Sequence, residues 1–373
     1  DTSSSKLYAI NNARGRVTFK NCKGKITSNN GITVNNQSPS TFVYSGGGET
    51  VFTSSATNGT IVQNDGGASV GAGAYIFPME KSEITTKYGI YNNTDATLTV
   101  AATIVGKQAN YAGTMETGIY NQGELKQFAG TITSETKYGI DNKNLIEFCE
   151  GQINNCDTGL MNEYQGVSEN KVTVIKKIIT DFEKNKRALL SYGNVNSLGG
   201  NYKNNGADDV DGSAIYTFGN NAKVYIGDAD TTTRYKNPII AGNIAKDGTV
   251  YVGTGSKVTC DGQFNNSLAN TAQRGGFAYI GMYGTLLHKK GKLPYGSAEK
   301  GSGVYIYSNG SIPKGSYQIM GDASLADGTD VYEDPYTYVE IVGELTGNDI
   351  FTITPSEDST NNGRVIADVT YDG

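Results

Sequence analysis

This chain has no tryptophan, one histidine, four cysteines and seven prolines in 373 residues. With one histidine, a Ser–His–Asp or Cys–His nucleophile would have to use His288. It stands in Leu286-Leu-His-Lys-Lys290, with no Gly-x-Ser-x-Gly elbow anywhere, and reads as a lone surface-loop residue. Cys22, Cys149, Cys156 and Cys260 form no Cys-x-x-Cys pair and cannot complete a zinc set. They read as small buried hydrophobes, with a Cys149–Cys156 bridge as the alternative. Charge is also scarce, at 18% of residues, against a usual ~25%. A net charge of −6, with 31 Lys and Arg dispersed along the chain, argues against nucleic acid as a partner. No apolar run approaches the ~18 residues of a membrane span, so membrane insertion is not expected. Phosphate-cradling motifs are missing too, and no cofactor is expected. The start, Asp1-Thr-Ser-Ser-Ser-Lys6, has neither an initiator Met nor a signal peptide, which fits a trimmed mature fragment.

What fills the gap is neutral and polar. Glycine numbers 49, roughly one residue in eight, and tyrosine 25. Ile, Val, Tyr and Phe recur throughout, which argues against disorder. The chain is poor in the residues that build helical bundles. One phrase returns many times: a small residue, an aliphatic, then polar residues rich in Asn. It reads Ala9-Ile-Asn-Asn12, Gly89-Ile-Tyr-Asn92, Gly118-Ile-Tyr-Asn121, Gly139-Ile-Asp-Asn142 and Gly159-Leu-Met-Asn162. The aliphatic anchors are Ile10, Ile32, Ile61, Ile90, Ile119, Ile140, Leu160, Leu189, Ile215, Val250, Phe277, Val304 and Val331. A second phrase follows most anchors: a strand-like run, Gly, one residue, then Ile, as in Phe128-Ala-Gly-Thr-Ile132. Val172–Ile179 is β-branched and alternates poorly, so it reads as a strand or an excursion.

Units of about 20–29 residues with two or three short strands cannot bury a core alone; stacked, they can. The expected fold is all-β: a single-stranded right-handed parallel β-helix (β-solenoid) of about 12–13 coils over residues 1–333. Residues 334–373 are expected to form a C-terminal strand-rich cap or terminal coil. The anchors would stack inside. Two residues on, Asn12, Asn92, Asn121, Asn142 and Asn162 would face the same way and form a structural ladder, with Gln63 in the same slot.

The units Gly242-Asn-Ile-Ala245 with Thr249-Val-Tyr-Val252, and Gly301-Ser-Gly-Val-Tyr-Ile306 with Ser311-Ile312, resemble the Gly-rich coils of pectate-lyase-like bacterial surface proteins, the adhesin-like and polymorphic outer-membrane-type repeat proteins. The segment Gly328-Thr-Asp-Val-Tyr332 with Val339-Glu-Ile-Val-Gly-Glu-Leu345 resembles the way those arrays finish. The likeness is best over residues 240–345, and the more regular Gly-Gly-x-Ile-Ser-Gly-Asn repeat is missing. It implies a secreted, surface-attached β-helix, located outside the cell.

β-Helices also carry out polysaccharide chemistry, which needs converging carboxylates. Asp208, Asp209 and Asp211 are the densest acidic cluster, with Asp228 and Asp230 about one coil later. Flanking glycines favour a turn, with Ca²⁺ binding and catalysis as weaker readings. Arg234 and Lys236 keep a β-elimination lyase in view. The tyrosines one residue after the anchors would point outward: Tyr91, Tyr120, Tyr216, Tyr251, Tyr305 and Tyr332. They suit a sugar or protein ligand, or cross-coil stacking that only stabilises the sheet. The expected function is a non-enzymatic adhesin or ligand-presenting module binding a host or environmental glycan or protein, as a monomeric fragment of a larger surface protein. A polysaccharide lyase or hydrolase and a trimeric phage fibre are the alternatives.

Overall fold

A computed structural model describes residues 8–28, 31–46, 48–78, 85–133, 135–163, 172–227, 238–264, 268–310, 314–347, 351–357 and 365–371. It is a parallel β-solenoid of right-handed type with about 11 turns, and the described residues contain no helix. The chain divides into two compact units, residues 1–180 and 181–373.

In the first unit every coil contributes a strand to each of two sheets, and most contribute to a third. The first sheet runs through Tyr8–Asn12, Ile32–Asn36, Thr60–Asn64, Thr85–Asn92, Thr114–Asn121, Tyr138–Asn142 and Thr158–Asn162, all parallel. In-register pairs place Ile90, Ile119, Ile140 and Leu160 on top of one another, each fully buried. The glycine before each of these anchors has a steric cause. A Cβ on Gly89, Gly118 or Gly139 would lie 2.7, 2.6 or 2.5 Å from the carbonyl oxygen of the corresponding glycine one coil on. Only a residue without a side chain tolerates that approach.

The asparagine ladder is continuous. Asn12, Asn36, Asn64, Asn92, Asn121 and Asn142 each donate from Nδ2 to the Oδ1 of the next asparagine, at 2.7–2.8 Å, ending on Asn162. Each Nδ2 also reaches a turn carbonyl, such as Leu145 O for Asn121. The structure corrects the register in two early coils. Ile10 pairs with Val34 and not Ile32, and Val62 rather than Ile61 joins Ile90. Asn36 and Asn64 therefore occupy ladder positions, and Gln63 lies beside the ladder. Val174–Ile178 is a strand of the second sheet.

In the second unit the first sheet runs through Arg187–Ser191, Ile215–Thr217, Val250–Val252, Ala278–Ile280, Val304–Ile306, Val331–Glu333 and Ile353–Pro355. Ala278, not Phe277, continues the column from Val250 to Val304. The later coils, from Val304–Ile306 onward, supply strands only to the first two sheets. This is why complete turns are fewer than anchors. Residues after 333 prolong both sheets: Ile353–Pro355 pairs with Val331–Glu333, and Ala367–Val369 with Val339–Leu345.

A second buried asparagine ladder runs here at another corner. Asn185, Asn205 and Asn243 donate from Nδ2 to Asn205, Asn243 and Asn270 Oδ1 at 3.0–3.1 Å. The same Oδ1 atoms accept the backbone N–H of the preceding ladder residue. His288 is not on a surface loop. It lies on the strand Thr285–Lys290 and is fully buried. Its Nε2 donates to Gly291 O at 2.7 Å, so Nδ1 accepts from the Tyr317 hydroxyl at 3.0 Å. None of the four cysteines is in a disulfide, so Cys149 and Cys156 are not bridged. Each of those two sulfurs accepts a hydroxyl, from Thr180 at 3.1 Å and Thr136 at 3.0 Å.

Candidate ligand-binding surface

Alternation along each strand sends the anchor and the ladder asparagine inward and the residue between them outward. In the first unit that outward row contains Gln63, Tyr91, Tyr120, Asp141 and Met161 in register. Tyr88 joins it: its ring centroid lies 5.4 Å from Tyr91 and 4.7 Å from Tyr120. Tyr91 and Tyr120 stack at 5.3 Å and 17°. All three tyrosines are half-buried.

Side-chain amides fix this cluster. Tyr91 Oη donates to Gln122 Oε1 at 2.7 Å, and Gln122 Nε2 donates to Tyr120 Oη at 3.3 Å. At the other end, Gln63 and Asn93 both donate to Asp65, at 3.1 and 3.0 Å. Burial raises the phenol pKa of Tyr91 and of Tyr120, so both are neutral donors.

One coil beyond Tyr120 lies a charged trio. Lys143 contacts Glu163 Oε2 and sits 3.4 Å from Asp141 Oδ2, with its ammonium 5.5 Å from the Tyr120 ring centre. Asp141 is 5% exposed, and its Oδ1 has no hydrogen-bond partner. Burial pushes its carboxyl up to about 6, against the pull of Lys143, and Glu163 adds to the rise. Burial alone would lower Lys143, but its contact with Glu163 and the charge of Asp141 hold it above its ordinary value.

The other predicted tyrosines form a different object. Tyr216, Tyr251, Tyr279, Tyr305 and Tyr332 stack in one column of the second unit, with centroids 4.7–5.3 Å apart and planes within 11°. Tyr279 belongs to it although the misplaced anchor at Phe277 had hidden it. The ring faces are spent on one another and on cations. Arg187 lies over Tyr216, Arg274 over Tyr279 and Tyr305, and Lys300 over Tyr332. Arg274 is locked by two bonds to Asp247, at 2.7 and 2.6 Å. Tyr279 and Tyr305 are 4% and 3% exposed. This column supports the sheet; its middle is covered, and Tyr216, Tyr251 and Tyr332 are half-buried.

The acidic residues do not converge. Asp208 and Asp209 are exposed on a turn, and Asp209 pairs with Lys186 at 3.6 Å. Asp211 is half-buried, and its backbone oxygen accepts two bonds from Arg187. Burial raises its carboxyl pKa, with Asp247 adding to the effect. Among the described residues no group of three His, Cys, Asp or Glu is placed to hold a metal ion. Asp228, Asp230, Arg234 and Lys236 lie outside the described residues. A shallow depression of about 440 Å³ runs over the sheet Ile244–Asp247, Asn270–Arg274 and Gly296–Ser297, bordered by Asp208, Gln273 and Glu299.

The chain matches no protein-family model, no curated protein and no solved structure.

Proposed function

We propose that this chain is a non-catalytic ligand-binding module of a secreted bacterial cell-surface protein. Its contact face is the outer row of the first unit, centred on Tyr88, Tyr91 and Tyr120. The observation that carries this reading is the combination of partial exposure and fixed geometry. Three aromatic rings reach the surface while Gln122, Gln63, Asn93 and Asp65 are already held by mutual hydrogen bonds. Groups fixed before binding lose little conformational freedom when a ligand arrives. Phenol hydroxyls and amides beside apolar rings suit a host or environmental glycan, or a polar protein surface. Tyr279 and Tyr305 of the second unit supply the contrast, since there the same residue type is buried in the stack and under Arg274.

The test is an array of glycans and host proteins probed with the wild-type chain and with a Tyr88→Ser/Tyr120→Ser variant. Binding by the wild type and its loss in the variant are expected. Binding that survives the double substitution, or a silent array, refutes the assignment.

One observation favours a polysaccharide hydrolase instead: a carboxyl pushed up to about 6, beside a second carboxylate, at the edge of an aromatic face. Release of reducing ends from a polysaccharide panel, abolished by Asp141→Asn and by Glu163→Gln, would establish that reading over the first.

A further inference from the structure

The corner that leads from the first sheet to the second in the second unit carries aromatic side chains with no role in the core. Phe218 is 42% exposed and Tyr283 is 61% exposed. The register Thr217 to Val252 to Ile280 sets their turns two coils apart. Between them is the turn Gly253-Thr-Gly-Ser256. A Cβ on Gly253 would lie 2.9 Å from Cδ2 of Phe218, so the phenyl ring lies against the bare backbone of Gly253 on the next coil. Tyr192 packs edge-on against Phe218, with centroids 6.3 Å apart, and fixes one end of the bed.

Tyr283 is also held where a bulky residue is disfavoured. Its φ is 58°, in the left-handed region, as is that of Tyr336 at 68°. Asn21, Asn58, Asn155 and Asn204 show the residue type that usually accepts this conformation. The Tyr283 ring stacks on no other ring among the described residues. Glu135 and Lys184 also hold this conformation, at 57° and 56°, but neither presents an aromatic ring to solvent as Tyr283 does.

We propose that Phe218 and Tyr283 form the bed for a neutral linear oligosaccharide, whose sugar faces lie on the two rings. Neutrality follows from the three turns Phe218-Gly-Asn-Asn221, Gly253-Thr-Gly-Ser256 and Gly281-Met-Tyr-Gly284, which contain no charged residue. Coils repeat at about 4.8 Å, so the two turns are about 10 Å apart along the stack, close to one disaccharide step of an extended chain. An extended chain laid along the stack would span the two turns with three sugars. A protein partner would need a contiguous apolar core, and Met282 is the one further large apolar side chain in these turns. The antiparallel bridge between Ser308 and Lys314 stands between Tyr283 and Tyr336, so the continuous bed runs from Phe218 to Tyr283.

This site is separate from the face around Tyr88 and stands or falls without it. Calorimetric titration of the full chain with cellobiose, cellotriose and cellohexaose tests it, with mannohexaose as a second neutral probe. Cellotriose, the shortest chain able to reach both rings, is expected to bind roughly tenfold tighter than cellobiose. Phe218→Ser/Tyr283→Asn should remove that gain, and Tyr88→Ser/Tyr120→Ser should leave it intact. Tyr283→Asn accepts the left-handed conformation, so its thermal midpoint should match or exceed that of the wild type. Silence with both hexaoses overturns the proposal. So does loss of binding in the Tyr88/Tyr120 variant alone.

Discussion

Removing one rung from the middle of the first asparagine ladder gives the sharpest energetic test of the fold. Asn121, Asn92 and Asn142 are all fully buried. Asn121 accepts from Asn92 Nδ2 at 2.7 Å and donates to Asn142 Oδ1 at 2.8 Å and Leu145 O at 3.0 Å. Asn121→Ala removes all three bonds and leaves buried groups on both neighbouring coils short of a partner. A net hydrogen bond contributes about 1 kcal/mol, and a stranded buried group costs about 1–3 kcal/mol. Destabilisation of about 3–5 kcal/mol is expected. Asn12→Ala is the internal control. It loses two bonds, to Asn36 Oδ1 and Thr41 O, and has a ladder neighbour on one side only. Its cost should be about 1–2 kcal/mol. Urea unfolding gives the two values, and hydrogen exchange locates the effect. Amides in Thr114–Asn121 and Tyr138–Asn142 should lose protection in the central variant. Equal costs for the two substitutions would refute the idea that the ladder stabilises by cross-coil satisfaction of buried amides.

Other outcomes follow from burial and charge. Tyr279→Ala removes a ring that is 4% exposed and should cost about 3–5 kcal/mol, whereas Tyr91→Ala, at the surface, should cost well under half of that in the same melt. Asp141 has its folded pKa raised to about 6 from an ordinary 3.8. Its contribution favours folding at low pH and is lost as pH rises through that window, so Asp141→Asn should stabilise the chain by about 3 kcal/mol at pH 7 and by little near pH 4. His288 runs the other way. Burial lowers it to about 4 from 6.5, so its contribution is intact above 6.5 and fades as the pH falls toward 4. Replacing Asp141 should therefore expose a steeper acid limb in a stability–pH profile. Burial holds the thiols of Cys149 and Cys156 up at about 12 and raises that of Cys260 further. In the native chain a disulfide reagent should titrate Cys22 rapidly and the other three only on unfolding.

The sequence by itself determined the architecture. The glycine before Ile90, Ile119 and Ile140 and the asparagine two residues after announce a coil that meets its neighbour too closely for a side chain and must satisfy turn amides from inside. Those are local demands, repeated in each unit, and a single chain displays them. Tertiary structure alone decided the register where neighbouring residues are equally apolar. Ile32 and Val34 are both buried, as are Ile61 and Val62, so hydrophobicity does not choose between them. A slip of one residue exchanges the two faces of a strand, and only pairing with the adjacent coil settles it. The second ladder, through Asn185, Asn205, Asn243 and Asn270, follows a corner where coil lengths vary, so no fixed spacing announced it. Exposure was decided in the same way. A tyrosine one residue after an anchor points outward in every coil. Whether its ring then stays half-exposed, as at Tyr91, or is buried, as at Tyr279 between Tyr251 and Tyr305, depends on what the adjacent coils, some 26–28 residues away, place beside it.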